Sequence, residues 1–343
     1  MVPDSPLQDF RKDQDEADSR LGLLHQWLQS LPQLTNGYEL EPLYDDASFR
    51  RYFRARAGDG SWVVMDAPPD REPIDDFIRI DSRFHGMGLN VPEIIAFDER
   101  QGFILLSDLG DRQLLDLMND DNIDSIHSMA LAPLVTLQAG VLTDPEFLPA
   151  YDRKLLLGEM HLFRDWYLAR HLQAALDKNA QTLLSNTFDQ LANNALEQPQ
   201  VWVHRDYHSR NLMQTGTNPP GILDFQDAVT GPITYDAVSL LRDCYIAWPR
   251  AYIENRALGF YEQLMHSGLL KEDVSEQTFM RWFDLMGVQR HLKAIGIFSR
   301  LNYRDGKQKY LDDIPRTWNY VVEAAEKHPR LQTLVALTEK YQT

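Results

Sequence analysis

The chain changes its sequence pattern near Gly110, and this change limits the folds open to it. Before that point, short segments with strand patterning are separated by turn residues. After it, long amphipathic helical segments dominate, among them 154–176 and 235–247, interrupted by a β-rich island over 201–225. We predict an α+β chain with a small antiparallel N-terminal lobe (1–110) and a larger, mainly helical C-terminal lobe (111–343). The predicted N-lobe strands are 38–43, 49–57, 62–66, 93–97 and 103–107, with helices at 19–31 and 74–85. The turn Gly58-Asp59-Gly60 is predicted to join the second and third strands as a hairpin.

Composition narrows the function classes. A chain of 343 residues is too long for one compact core and suits two lobes. The net charge of −17 argues against nucleic acid and against an anionic membrane surface. A single cysteine, Cys244, cannot form an internal disulfide, and residues 1–20 contain no apolar signal segment. We expect a cytoplasmic protein that acts on a small molecule, without an obligate protein partner.

The residues best suited to catalysis lie in the β-rich island, in the spacing His204-x-Asp206-x4-Asn211. A carboxylate beside an acceptor hydroxyl orients it and takes its proton, and Asp206 is the catalytic candidate. Magnesium prefers oxygen ligands, which Asn211 and the later Asp224 supply. We expect Asp206 and Asn211 on one loop after a strand, and Asp224 at the end of the neighbouring strand. The alternative is that all of them are ordinary turn residues.

These residues also carry a family resemblance. The loop and the following Asp224 resemble the aminoglycoside phosphotransferase and choline kinase-like family. The resemblance implies a two-lobed protein-kinase-like fold, with ATP and Mg²⁺ as cofactors. Within the family, the chain is most similar to bacterial kinases that phosphorylate the anomeric hydroxyl of N-acetylmuramate and N-acetylglucosamine in peptidoglycan recycling. The stretches that carry this finer resemblance are 46–54, 65–69, 204–213 and 223–228, with weaker support at 298–300 and 305–307.

The N-lobe departs from the kinase pattern in two ways. No Gly-x-Gly-x-x-Gly precedes the second strand, so residues 45–48 are expected to form the phosphate loop, with the small Ser48 letting backbone N–H groups approach a phosphate. Met65 occupies the position where kinases carry a phosphate-binding lysine. Arg50 and Arg51 are the nearest replacements, and since neighbouring strand residues point to opposite faces, at most one should reach the nucleotide. Both could equally be solvated strand arginines.

Adenine and acceptor binding are predicted from position along the chain. The carbonyl of Ser107 and the amide of Leu109 would bind adenine where the fifth strand ends, although an ordinary strand end is the alternative. Arg210 could bind a sugar carboxylate or pair with a structural acid, and Arg300 could instead lie on a solvated helix face. Asp227 could accept bonds from sugar hydroxyls or order the Asp224 loop. The full set of predicted acceptor-binding residues is His208, Arg210, Gln226, Asp227 and Arg300.

Two other functions stay open at this point. The acceptor could be an aminoglycoside, choline or another small alcohol; a cationic acceptor calls for a pocket lined by carboxylates. The chain could also be a non-catalytic, pseudokinase-like binding protein, because the N-lobe lysine is missing. The retention of Asp206, Asn211 and Asp224 together favours a catalyst.

Overall fold

The computed structural model describes residues 19–43 and 49–342. It divides into two compact units. The first runs to Asp81 and adds Pro92–Asp108, and the second comprises Ser82–Val91 and the chain from Leu109 onward. The assignment of nucleotide binding to one lobe and catalysis to the other stays a prediction.

The first unit is a five-stranded antiparallel sheet with a helix packed on it. Helix α1 (residues 19–29) places Leu24 and Leu28 against Val64 and Phe103 of the sheet, in a core that excludes water. The order of the strands in the sheet is β1-β2-β3-β5-β4, and every neighbouring pair is antiparallel, as predicted for a sheet with one inserted helix. The strands are β1 (Glu39–Pro42), β2 (Arg51–Ala57), β3 (Gly60–Asp66), β4 (Ile94–Asp98) and β5 (Phe103–Ser107), with α2 (Asp75–Gly86) between β3 and β4.

The predicted hairpin between β2 and β3 is confirmed. Ala57 pairs with Gly60, so Gly58 and Asp59 form a two-residue turn. Gly58 has a φ of 57°, which suits the turn type that matches the twist of the flanking strands. Met65, at the position where a lysine would stand, is fully buried in β3.

The second unit is mainly helical and contains two short β-ladders, β6 with β9 and β7 with β8. The strands are β6 (Gln200–Val203), β7 (Leu212–Met213), β8 (Gly221–Ile222) and β9 (Val229–Pro232). The helices are α3 (Ile123–Ala139), α4 (Arg153–Leu162), α5 (Lys178–Leu196), α6 (Tyr235–Leu241), α7 (Arg250–His266), α8 (Glu276–Asp305), α9 (Ile314–Lys327) and α10 (Gln332–Glu339). Helix α8 runs through the centre of this unit and contacts α4 to α7 and α9.

Two predicted helices are shorter than expected. The segment 235–247 is helical only to Leu241, because the Asp243 carboxylate accepts a bond from the backbone N–H of Tyr245 and offers the chain an alternative to helix. The segment 154–176 is α-helical to Leu162 and then π-helical over Phe163–His171, where Gln173 follows with a φ of 51°.

The prediction for the strand before Asp224 is wrong. Strand β8 contains only Gly221 and Ile222, and it pairs with β7, whereas β6 pairs with β9. Asp224 lies in the turn after β8, with a φ of 64°. Its short polar side chain tolerates this left-handed conformation better than most residues do.

Among the described residues, one helical stretch, Ile123–Leu142, is long and apolar enough to cross a membrane by length and composition. Here it belongs to the protein interior: Ala130 and Leu134 are fully buried, and α3 contacts β6, α6 and α7. We therefore interpret α3 as a core helix.

Candidate active site

The loop His204–Asn211 is held by two acidic side chains. Asp236, near the start of α6, accepts bonds from the backbone N–H groups of His204 (2.7 Å) and Arg205 (3.1 Å). Asp243 accepts bonds from the backbone N–H (2.9 Å) and hydroxyl (2.5 Å) of Ser209. Both carboxylates are buried. Hydrogen bonds that backbone N–H groups donate to a fixed carboxylate are strong, so these bonds define the path of the loop.

Asp206 is within reach of a solvent molecule or ligand, because 38% of its side chain is exposed. The ammonium of Lys293, from the middle of α8, lies 3.9 Å from Asp206 Oδ1. Burial opposes the charge on Asp206, but the positive charges of Lys293 and Arg205 outweigh it and hold the pKa of Asp206 well below its ordinary value. The candidate catalytic carboxylate is therefore ionised at neutral pH.

Lys293 reaches Asp206 from a buried polar network centred on Glu159 of α4. Its Nζ lies 3.3 Å from Glu159 Oε1 and 3.2 Å from the hydroxyl of Tyr235. Arg205 donates to the same Glu159 oxygen at 2.6 Å, and Gln289 donates to the other at 3.2 Å. Burial disfavours the Glu159 charge, but Lys293 and Arg205 offset it and lower the pKa of Glu159. Every charge in this network therefore has a partner, as burial requires.

The predicted magnesium ligands lie together. Asn211 donates through Nδ2 to the backbone carbonyl of Asp206 (3.0 Å) and to Asp224 Oδ2 (3.3 Å). Both bonds use the amide nitrogen of Asn211, so its oxygen is available as a ligand. Gln226 donates to Asp224 Oδ1 at 2.7 Å, and Asp224 is exposed. The donor set of one amide oxygen and one carboxylate fits Mg²⁺, which keeps several waters and takes few protein ligands.

In residues 19–43 and 49–342, there is no group of three or more His, Cys, Asp or Glu side chains arranged to hold a metal.

The two histidines of the loop are neutral. Burial is the largest cause that lowers the pKa of His204, to about 4. Burial also lowers the pKa of His208, although Asp243 and Asp206 oppose the change. The ring of His208 meets the edge of Tyr245 at 5.2 Å. Each ring has one buried nitrogen without a hydrogen-bond partner among the described residues, Nε2 of His204 and Nδ1 of His208, but only His208 is partly exposed and so within reach of a ligand.

The predicted acceptor-binding residues divide by their surroundings. Arg210 lies flat on Tyr245, with the guanidinium carbon 3.7 Å from the ring centroid. Asp227 is exposed, and its backbone carbonyl accepts a bond from Arg205 at 3.2 Å. Arg300 lies on α8, two helical turns beyond Lys293. Gln226 is tied to Asp224, and its Oε1 is buried without a partner among the described residues.

The predicted nucleotide-binding residues have partners of their own. In the first unit, Arg51 lies opposite Asp66 in the β2–β3 ladder and donates to it through Nε at 3.0 Å, while Arg50 pairs with Glu72 at 2.9 Å. Ser107 ends β5, where its hydroxyl accepts the backbone N–H of Glu93 at 2.8 Å. Leu109 begins the main segment of the second unit and contacts Gly221 there. Ser48 and the predicted phosphate loop lie outside the described residues.

The residues that the sequence did not reveal are Lys293 and Glu159. Each lies in the middle of a helix far from the loop in sequence, without any motif around it. The signal that could have revealed them is charge inside an otherwise apolar helical face, since a buried Lys or Glu is rare unless it is paired.

Known proteins share both this fold and much of this sequence. A model of the phosphotransferase enzyme family matches residues 39–268. The N-acetylmuramate/N-acetylglucosamine kinase of Pseudomonas aeruginosa is 44% identical over 330 residues, 92% of this chain and 95% of that protein. Among solved structures, the ethanolamine kinase of Plasmodium vivax has a TM-score of 0.61 at 11% identity, covering 90% of this chain and 88% of its own. An ADP-bound aminoglycoside phosphotransferase, APH(2'')-Ib, has a TM-score of 0.53 at 13% identity, covering 86% and 96%.

Proposed function

This chain belongs to the phosphotransferase enzyme family, and we propose that it transfers a phosphoryl group from ATP to the anomeric (C1) hydroxyl of N-acetylmuramate or N-acetylglucosamine. The observation that carries the proposal is an ionised Asp206, exposed beside the oxygen ligands Asn211 and Asp224. The name of the relative at 44% identity supports the choice of these two amino sugars as acceptors.

Asp206 aligns the acceptor hydroxyl and receives its proton. An anomeric hydroxyl is more acidic than an ordinary alcohol, so a weak base is sufficient for the transfer. The low pKa of Asp206 suits an aligning carboxylate, because the group is charged throughout the neutral range. Catalysis then depends mainly on position and on stabilising the charge of the transferred group.

Asn211 and Asp224 hold Mg²⁺, which neutralises phosphate charge when it is bound. The left-handed backbone at Asp224 turns its carboxylate toward Asn211, and Gln226 fixes one carboxylate oxygen. The side chains of this chain therefore preorganise the metal ligands on one turn and one loop.

For the nucleotide, kinases of this family bind ADP or ATP. We assign adenine to the backbone of Ser107 and Leu109, and the phosphates to Arg50 or Arg51 with the loop that contains Ser48. The ion pairs of Arg50 with Glu72 and of Arg51 with Asp66 orient both guanidinium groups before nucleotide arrives.

For the acceptor, we assign sugar contacts to His208, Arg210, Gln226, Asp227 and Arg300. Lys293, Arg205 and Arg290 lie near Asp206 and lower its pKa, while Asp224 and Asp227 are exposed acids of the same site. The choice of an amino sugar over a cationic acceptor therefore follows from the name of the relative at 44% identity. The retained Asp206, Asn211 and Asp224 favour a catalyst over a binding protein. The sugar 1-phosphate would serve peptidoglycan recycling in the cytoplasm.

A panel of acceptors tests this function. Purified protein with ATP and Mg²⁺ should release ADP in the presence of either amino sugar, and much more slowly with choline, kanamycin or no acceptor. Asp206→Ala should abolish the sugar-dependent rate, while ADP binding persists. Turnover only with a cationic acceptor would contradict the proposal, as would the absence of turnover with every acceptor.

A further inference from the structure

We propose that Arg300 binds the lactyl carboxylate of N-acetylmuramate and so lets the enzyme distinguish this acidic sugar from neutral N-acetylglucosamine. The inference rests on the proposed function, and assigns one residue to one group of one substrate.

The position of Arg300 on α8 directs it to the site. Lys293, Ile297, Arg300 and Arg304 follow one another at helical spacing and therefore share one face of the helix. This face is on the side of α8 that is nearest Asp206, because the ammonium of Lys293 lies 3.9 Å from the Asp206 carboxylate. Arg300 is seven residues further on, which is about 10 Å along the helix axis.

The solvent exposure of the side chains increases along this face of α8 toward its C-terminus. Lys293 is buried, Ile297 and Arg300 are half-buried, and Arg304 is exposed. Exposure on this face therefore increases from the end near Asp206 toward Arg304, and Arg300 is the first basic residue after Lys293 along it.

Arg300 also lacks a partner at one of its donors. Its Nε is buried without a hydrogen-bond partner among the described residues. Burial, followed by repulsion from Arg304, lowers the pKa of Arg300. A desolvated guanidinium beside another cation is stabilised by an incoming anion, and the planar donor fork matches a carboxylate.

The other two basic residues on this face of α8 already have anionic partners. Arg304 donates to both carboxylate oxygens of Asp305, at 2.7 and 2.9 Å. Lys293 is paired with Glu159 at 3.3 Å. Compared with these two residues, Arg300 can pair with a substrate carboxylate at lower cost.

The chemistry of the substrate fits this arrangement. In N-acetylmuramate, the lactyl group is attached at O3, so its carboxylate stands away from the C1 hydroxyl across the sugar ring. With the C1 hydroxyl at Asp206, we place the carboxylate beside Arg300. N-acetylglucosamine has a hydroxyl at the same carbon and no charge to offer Arg300.

The test compares the two sugars in Arg300→Met and Arg300→Lys. Losing a charged hydrogen-bonded pair should lower kcat/KM for N-acetylmuramate by about 10- to 100-fold, mainly through KM. The value for N-acetylglucosamine should fall by much less, because this sugar has no carboxylate for Arg300 to bind. Arg300→Lys should recover part of the loss, because it keeps the charge without the planar fork. Arg304→Met is the matched control, and should leave the ratio between the sugars unchanged.

A second measurement does not depend on stability of the variants. The wild-type enzyme should use N-acetylmuramate amide, whose lactyl group is neutral, about as poorly as Arg300→Met uses N-acetylmuramate. Equal losses on both sugars in Arg300→Met, or no loss on either, would overturn the role of Arg300. A wild-type enzyme inactive on both sugars would instead refute the proposed function, so the two failures are distinguishable.

Discussion

The ammonium of Lys293 lies 3.9 Å from Asp206 Oδ1 and 3.3 Å from Glu159 Oε1. One buried lysine on α8 thus joins the candidate catalytic carboxylate to a carboxylate on α4. Lys293 keeps Asp206 charged and restricts its orientation, while Glu159 and Tyr235 hold Lys293 in place. In a reaction that depends on positioning, such a contact should affect rate more than binding.

We predict that Lys293→Met lowers kcat about 10- to 100-fold, with KM for ATP and sugar changed less, because a charge that orients the acting carboxylate is lost. Lys293→Arg should restore part of kcat. Steady-state kinetics measure kcat and KM separately. Lys271→Met, at an exposed lysine in a loop, is the control. Unchanged kcat in folded Lys293→Met would contradict a positioning role.

In Lys293→Met, Glu159 keeps Arg205 as its ion-pair partner at 2.6 Å, so the buried carboxylate still has a positive neighbour. Urea unfolding of Lys293→Met separates a fold defect from a positioning defect. A variant that is folded and turns over slowly supports the role of Lys293, whereas a loss of kcat that follows a loss of folded protein would place the effect on stability.

Removal of magnesium should abolish turnover, and Asp224→Asn should raise the Mg²⁺ concentration needed for half-maximal rate by about tenfold or more, because a neutral amide replaces an anionic ligand. Titration of the rate with Mg²⁺ measures this. Asp273→Asn, at an exposed aspartate, is the control. An unchanged Mg²⁺ requirement in Asp224→Asn would exclude Asp224 as a ligand.

Gly296 is where α8 approaches the junction between α4 and its π-helical extension. A Cβ on Gly296 would lie 2.4 Å from the backbone carbon of Leu162 and 2.5 Å from the nitrogen of Phe163. Gly296→Ala should therefore reduce the free energy of unfolding by about 1–3 kcal/mol.

Gly259 is a helical glycine at which an added Cβ would not clash, in contrast to Gly296. It lies inside α7, and a Cβ added there would meet no neighbouring group within 4 Å among the described residues. Gly259→Ala should raise the free energy of unfolding by about 0.5–1 kcal/mol, because alanine favours helix. Urea unfolding of the two variants measures both values, and a stable Gly296→Ala would mean that the helices separate easily at this point.

Asp284 gives the stability of the second unit a pH dependence. It is buried between Arg242 and His328, and although burial opposes its charge, these partners lower its pKa to about 2. Because the folded pKa lies below the unfolded value of 3.8, the stabilisation of about 2 kcal/mol is complete above pH 4 and lost as pH falls toward 2.

Asp284→Asn should therefore destabilise the protein at pH 6, and by less at pH 3. Urea unfolding at the two pH values measures the difference, with Asp189→Asn as the control at a half-exposed ion pair. An Asp284→Asn effect that is the same at both pH values would contradict this account.

The sequence predicts the elements with strong periodicity and the local chemistry of one loop. Strand β5 has the predicted bounds, and Asp206, Asn211 and Asp224 come together as expected. The prediction fails where tertiary contacts decide. Asp243 ends α6 early because it also holds the catalytic loop, and Lys293 reaches Asp206 from a helix that begins seventy residues later. Neither contact leaves a pattern in the sequence.

The position of the new phosphate tests the central claim most directly. Wild-type protein is incubated with ATP, Mg²⁺ and N-acetylmuramate, and phosphorus NMR with coupling to the sugar protons locates the phosphate. We predict a C1 phosphate monoester with the wild type and no product with Asp206→Ala. A phosphate at C6, or equal product formation by Asp206→Ala, would contradict the account.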